Sequence, residues 1–157
     1  DLCSKLAHIN IGMLEFTRID LSKTNYPQTT INWKWLRRND IDIDKLNEIY
    51  IKYCRYKEFK SVQPIFDSEY KSEDTDVIGY YDNDKLVAFS LIHIFNERNL
   101  EALQFAWDYE NPNLRLGIES LKHECYLYKK LGFEYIYLGA ADEYKKTIDG
   151  FEILGPL

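Results

Sequence analysis

The sequence predicts an α/β protein, α+β in the layout of its strands, built on a mixed central sheet with helices on both faces. Two stretches predict it. Residues 100–139 read in order as strand, tight turn, long helix and strand, and residues 77–107 read as three strands joined by short turns. The chain has 157 residues, 45% of them apolar and 29% charged, which suits one soluble domain with a sizeable core. Within it, residues 1–75 form an N-terminal strand and helix part, and residues 76–157 a meander followed by a strand–helix–strand core.

The core is the most legible part. Leu100 to Trp107 is rich in large apolar residues, and Asp108 to Asn113 breaks the run, because Pro112 has no amide hydrogen and Asn and Asp favour turns. From Leu114 to Lys130 apolar residues recur at 114, 118, 121, 125 and 128, which is helical spacing. Gly132 stands where a left-handed cap closes a helix. Phe133 to Leu138 is a second strand ending at Gly139. Such a unit implies a right-handed crossover between parallel strands. It also aims the unpaired amides of the helix N-terminus at whatever lies beyond the strand ends.

Upstream, Ile9 to Asp20 reads as one strand or two short ones, with Gly12 at a bulge, and Leu21 to Thr30 as a loop. Ile31 to Arg38 alternates apolar and polar residues over its first five positions, as an exposed strand does. Asp42 or Asp44 caps a helix whose apolar face is Leu46, Ile49, Tyr50, Tyr53 and Tyr56, ending near Glu58. Residues 64–71 form a short second helix and 71–76 a polar loop. Val77 to Tyr81 is a strand, Asp82 to Lys85 a tight turn, and Leu86 to Phe95 a longer strand. Asn96 to Asn99 turns into the strand at 100–107. Beyond Gly139 come one or two helical turns at 140–146 and a last strand at Phe151–Leu154.

Charge and cysteines exclude several classes. Net charge is −6, so nothing global argues for nucleic acid. Its distribution is uneven: residues 29–60 hold eight Lys/Arg against five Asp/Glu, and residues 61–113 hold three against eleven. Cys3, Cys54 and Cys125 are odd in number and widely spaced, which argues against a disulfide framework and against a zinc site. No apolar run reaches the roughly 18 residues of a membrane span, and no signal peptide is visible. A cytoplasmic protein with no metal, no membrane partner and no tightly bound cofactor is expected.

The order of elements resembles the GNAT-type acyltransferase fold. Four phrases carry a closer resemblance: Asp84-Lys-Leu-Val-Ala88, Asn111-Pro112, Leu114-Arg-Leu-Gly117 and Tyr135-Ile-Tyr-Leu-Gly139, followed by Tyr144-Lys145 and Phe151-Glu-Ile-Leu154. Together they are similar to the catalytic C-terminal domain of the arginyl-tRNA–protein and leucyl-tRNA–protein transferases. The resemblance covers roughly residues 75–157. That family's cysteine-rich N-terminal domain has no counterpart here. An acetyl-CoA-binding GNAT protein shows R/Q-x-x-G-x-G/A at the start of the central helix. Gly117 stands at its first glycine, but Glu119 occupies the second and Leu114 the basic position. A carboxylate there faces a pyrophosphate unfavourably.

The resemblance implies where a site would lie. The parallel strands splay, and the donor's carbonyl sits in the gap. The backbone of Gln104, Phe105, Ala106 and Trp107 holds the acyl arm, and the amides of Leu116, Gly117 and Ile118 take a phosphate or ribose–phosphate edge. Tyr144 follows the second parallel strand, where many GNAT enzymes keep a general acid. Glu101 and Asp108, on the strand bordering the gap, are candidates to accept a proton or hold the substrate amine. His93 is a structural histidine, and the neighbours His123 and Glu124 do not form a metal pair. Trp33, Lys34, Trp35, Arg37 and Arg38 interleave aromatic with basic residues, the pattern of a single-strand or tRNA-end surface, with an amphipathic edge strand as the simpler explanation. Lys52, Arg55 and Lys57 lie on the nearby helix.

The leading expectation is therefore an acyltransferase that moves an acyl or aminoacyl group from an aminoacyl-tRNA-like donor to an amine. The second is an acyl-CoA-dependent N-acetyltransferase acting on a small molecule, a protein or a modified nucleobase. The third is a catalytically silent GNAT-fold binding module.

Overall fold

Asn83 and Asp84 adopt φ values of 47° and 67°. A two-residue hairpin turn needs positive φ at both central positions, which Asn and Asp tolerate best. The turn joins β3 (Thr75–Asp82) to β4 (Lys85–Ile94), and β5 (Asn99–Trp107) follows. The computed structural model describes residues 15–59, 67–139 and 143–156. Gly12, Cys3 and the expectations for 60–66 and 140–142 lie outside the described residues.

The remaining elements are β1 (Glu15–Asp20), β2 (Asn32–Leu36), α1 (Ile43–Tyr56), α2 (Asp67–Tyr70), α3 (Leu116–Lys130), β6 (Tyr135–Tyr137) and β7 (Phe151–Pro156). The strands form one seven-stranded mixed sheet in the order β2-β3-β4-β5-β6-β1-β7. Two compact units share β4, β5 and α3: residues 29–92 with 104–120, and residues 1–28, 93–103 and 121–157.

In the first of these units, β2 pairs antiparallel with β3 from Asn32↔Tyr81 to Leu36↔Val77. Residues 77–80 of β3 and 87–92 of β4 are buried without interruption. Successive strand residues point to opposite faces, so both faces of the sheet are covered there. Asp42 caps α1, its carboxylate accepting the Lys45 amide at 3.2 Å, and Leu46, Ile49 and Cys54 supply the buried stripe. Tyr70 of α2 packs edge-on against Phe89 at 5.8 Å.

In the other unit, β1 lies between β6 and β7, antiparallel to both. The β1–β7 ladder shifts register between Phe16 and Thr17. The Arg18 guanidinium donates to Glu152 at 2.7 Å, which with the Tyr137 hydroxyl strengthens its hold on its proton, and it lies 3.9 Å from the centre of the Tyr135 ring. Gly132, at φ 96°, ends α3 as expected, with the Phe133 amide returning to the Tyr128 carbonyl at 3.0 Å. The parallel crossover is also present: β5 pairs with β6 from Asn99↔Tyr135 to Glu101↔Tyr137.

Several boundaries move. Thr75 and Asp76, expected in a loop, already belong to β3. The central helix starts at Leu116, not Leu114, because Arg115 adopts φ 51° and ψ 46° and so breaks the helical path. The second parallel strand shrinks to three residues.

Candidate functional site

The parallel ladder between β5 and β6 is three pairs long, whereas β5 itself has nine residues. Gln104, Phe105, Ala106 and Trp107 lie beyond that ladder. Of these only Ala106 is fully buried. The Gln104 side-chain amide donates to the Phe105 carbonyl at 2.7 Å, so that backbone acceptor already has a partner.

Asp108 ends the strand. Its amide donates to the Val87 carbonyl at 3.0 Å, which holds it against β4. Its side chain is only 2% exposed, and Oδ2 lies 3.9 Å from Lys85 Nζ. Oδ1 accepts the Glu110 amide at 3.1 Å. Glu110 in turn takes Lys85 at 2.5 Å and Lys52 of α1 at 3.1 Å. These two ammonium groups, Lys85 first, hold the Glu110 carboxyl below its ordinary value, and Glu110 raises Lys85. The end of β5 is thus fixed by charge to the β3–β4 hairpin and to α1. Sequence reading found Asp108 but not its lysine.

Past Asp108 the chain makes a 3₁₀ turn at Pro112–Leu114, with Asn111 Oδ1 accepting the Asn113 amide at 3.2 Å. Leu116, Gly117 and Ile118 then form the first turn of α3, where amides have no intrahelical acceptor. Glu119 is the first residue whose amide returns within this stretch, to the Arg115 carbonyl at 3.0 Å. Arg115 itself is exposed at the helix start. The pattern comparison placed an apolar residue, Leu114, at the basic position.

The other two proton-transfer candidates belong to the other unit. Glu101 Oε2 is 3.8 Å from His93 Nδ1, with both side chains about a third exposed. His93, read as structural, therefore has a carboxylate neighbour on the next strand. Tyr144 precedes the 3₁₀ turn Lys145–Thr147, and its carbonyl accepts the Thr147 hydroxyl at 2.6 Å and amide at 3.2 Å.

The basic–aromatic stripe forms the outer strand β2. Trp33 and Trp35 meet edge to face at 5.7 Å, Arg37 lies 5.9 Å from the Trp35 ring, and Lys34 sits 5.1 Å from the Tyr81 ring. Arg38 pairs with Glu73 at 3.4 Å. A cleft of about 340 Å³ opens there, lined by Trp35, Arg37, Arg38 and Tyr70 but also by Glu73 and Asp76. The stripe is contiguous, yet it carries both signs of charge.

Within α3, His123 and Glu124 are buried. Desolvation lowers the His123 pKa to about 4. Cys54 and Cys125 are buried and not in disulfides, and burial pushes the Cys125 thiol up. Among the described residues no three His, Cys, Asp or Glu side chains are grouped to hold a metal ion. No described helix is long and apolar enough to cross a membrane.

Comparison with known proteins fits this geometry. The chain superposes on the C-terminal domain of a protein described as a lysylphosphatidylglycerol synthetase from Agrobacterium fabrum, with TM-score 0.62 and 12% identity over 82% of this chain and 47% of that one. It superposes on Saccharomyces cerevisiae N-myristoyltransferase with bound myristoyl-CoA at TM-score 0.58 and 13% identity, covering 80% and 41%. A GCN5-related N-acetyltransferase from Kribbella flavida gives 0.58 and 9%, covering 89% and 54%. The chain spans about half the length of these structures, and at such identities they share its fold. No curated protein sequence matches it. The family described as "Arginine-tRNA-protein transferase, C terminus" matches residues 39–148. That is more than half of the chain, which belongs to this family and carries a GNAT-like acyltransferase fold.

Proposed function

We propose that the chain transfers an aminoacyl group from an aminoacyl-tRNA to an amine. The family match over residues 39–148 carries this reading. The short β5–β6 ladder and the buried carboxylate at the end of β5 support it. In the reaction the amine lone pair attacks the ester carbonyl, a C–N bond forms, and the C–O bond to the ribose breaks. The amine loses one proton, and the departing ribose oxygen gains one. The enzyme must keep the amine neutral, stabilise the oxyanion and protonate the leaving oxygen.

Each residue has a task in this reading. The backbone of Gln104 to Trp107 holds the aminoacyl arm, with the Phe105 carbonyl released from the Gln104 side chain when the arm enters. The amides of Leu116, Gly117 and Ile118, with exposed Arg115, take the ribose–phosphate edge. Asp108, held by Lys85, accepts the amine proton. Glu101 with His93 is the second carboxylate candidate, and Tyr144 is the candidate acid for the leaving oxygen. The acceptor amine belongs to a protein, a small molecule or a nucleobase.

Acyl-CoA is the rival donor. It is favoured by the fold shared with a structure holding myristoyl-CoA. Against it stands Glu119 in the first turn of α3, where a pyrophosphate would meet a carboxylate. A donor screen separates the two. Aminoacyl-tRNA should raise Tm and bind in a salt-sensitive way that Arg37→Ala with Arg38→Ala weakens. A Tm rise with acetyl-CoA and none with aminoacyl-tRNA would overturn the leading reading. Stabilisation by neither donor would leave a silent binding module. Cytoplasmic location belongs to the same proposal and is tested by microscopy of the tagged chain.

A further inference from the structure

Four aromatic rings from two distant stretches of sequence converge at the end of β5. Tyr109 has a left-handed backbone, φ 61°, which turns its ring back toward the strand. Its ring centre is 4.0 Å from that of Trp107 and 3.6 Å from that of Tyr56, with interplanar angles of 34° and 17°. Two rings so near cannot share one face of a third, so Tyr109 is sandwiched between them. Tyr53, one turn earlier on α1, lies 6.0 Å from Tyr109 in near-parallel orientation.

The stack is open at one end. Tyr56 is covered on one face by Tyr109 and is still 66% exposed. An exposed tyrosine on a helix surface normally bends away into solvent or lies flat on its helix. This one stacks on Tyr109, which is itself tilted 34° against Trp107, and leaves a flat π-face to water.

Charge around the open end leans positive. Lys52 and Lys85 are committed to Glu110, and Glu48 to Lys45 and Lys52. Arg55 and Lys57 flank Tyr56 in sequence and are exposed, and Lys57 Nζ lies 5.9 Å from the centre of the Tyr53 ring. Glu58 is the one acidic neighbour in sequence. A flat aromatic face with cations beside it is how proteins receive an unpaired base and the phosphates on either side of it.

We infer that Trp107, Tyr109 and Tyr56 form a stacking platform for an unpaired base at the 3′ end of the carrier RNA, with Arg55 and Lys57 taking its backbone. The inference rests on the aminoacyl-tRNA reading above and assigns part of the RNA contact to α1. Asp108 immediately follows Trp107 in sequence, so a base seated on this column is tied through three consecutive residues to the carboxylate assigned to proton transfer.

The test uses the whole chain and two probes: an ACC-2-aminopurine RNA tetranucleotide, whose fluorescence falls when the terminal base stacks, and a full-length tRNA transcript. The intact chain should quench the tetranucleotide and bind the tRNA. Tyr56→Ala should weaken both about 5- to 150-fold, the range expected for losing one base–aromatic stack. Tyr56→Trp should restore binding, and Arg55→Ala with Lys57→Ala should flatten the salt dependence by about one or two phosphate contacts. Tyr56 is exposed, so its truncation leaves the core intact, and unchanged Tm checks this. Full tRNA binding by Tyr56→Ala would overturn the platform and leave the aminoacyl-tRNA reading standing. Absence of tRNA binding by the intact chain would overturn both. A rise in acceptor KM in Tyr56→Ala with tRNA binding unchanged would assign the column to the acceptor and refute the inference.

Discussion

Replacing Gly150 by alanine isolates a close backbone approach at the start of β7. Gly150 has φ 79°, and a Cβ built there would lie 2.4 Å from the Asp20 carbonyl oxygen, about 1 Å inside ordinary contact. The two backbones are joined at that point, the Asp20 amide donating to the Gly150 carbonyl at 2.9 Å. Gly132→Ala is the matched control, since φ is 96° and nothing lies within 4 Å of its would-be Cβ. The control bears only the left-handed penalty for an L-residue, about 1–2 kcal/mol. Gly150→Ala bears that plus steric crowding of about 1–3 kcal/mol. If the Asp20–Gly150 bond lengthens to relieve it, about 1 kcal/mol more is lost. The difference between the variants is therefore about 2–4 kcal/mol, or roughly 4–16 °C in Tm for a domain of this size. Thermal unfolding followed by circular dichroism, both variants in one buffer, measures it. Equal midpoints for the two would refute the steric argument.

Other outcomes follow from the same structure. Asp108→Asn keeps the acceptor for the Glu110 amide but removes the charge facing Lys85. Turnover should fall about 10²- to 10⁴-fold, the usual worth of a positioned acid or base, and a variant with full turnover removes Asp108 from the chemistry. Burial holds the folded His123 near pKa 4 against an ordinary 6.5, so between those values the unfolded chain binds the extra proton. Stability should accordingly decline as pH falls from about 7 toward 4, by up to about 3 kcal/mol from this one group. Urea titrations of His123→Gln should lack that part of the decline, and an identical slope would show that other groups cause it. Native protein should resist a thiol reagent at Cys54 and Cys125, because both are buried and Cys125 is shifted upward; labelling at the rate of free cysteine would contradict that burial.

Sequence alone specified features whose cause is local. The Asn83–Asp84 turn, the helix cap (Asp42, one of the two candidates with Asp44) and the Gly132 stop each depend on the chemistry of one or two residues, and the pattern marked each of them. The break at Arg115, at φ 51°, was hidden, since arginine gives no turn signal. So was the partner of β1: alternation marks a strand, but not which strands flank it. At the site, Asp108 was found from its position beside a strand, whereas Lys85 came from a hairpin over twenty residues away. The aromatic column was invisible for a similar reason. Tyr56 read as one more apolar position on α1, and only folding places its ring against Tyr109.

The placement of β1 between β6 and β7 has a consequence for biosynthesis. Arg18 meets Glu152 across 134 positions of sequence, so β1 cannot complete its ladder with β7 until residue 152 has been translated. At elongation rates of about 5–20 residues per second, that segment spends several seconds with both hydrogen-bonding edges unclaimed, since β6 and β7 are each made more than 110 residues later. Nascent chains arrested before Phe151 are thus natural clients for chaperones that capture extended segments.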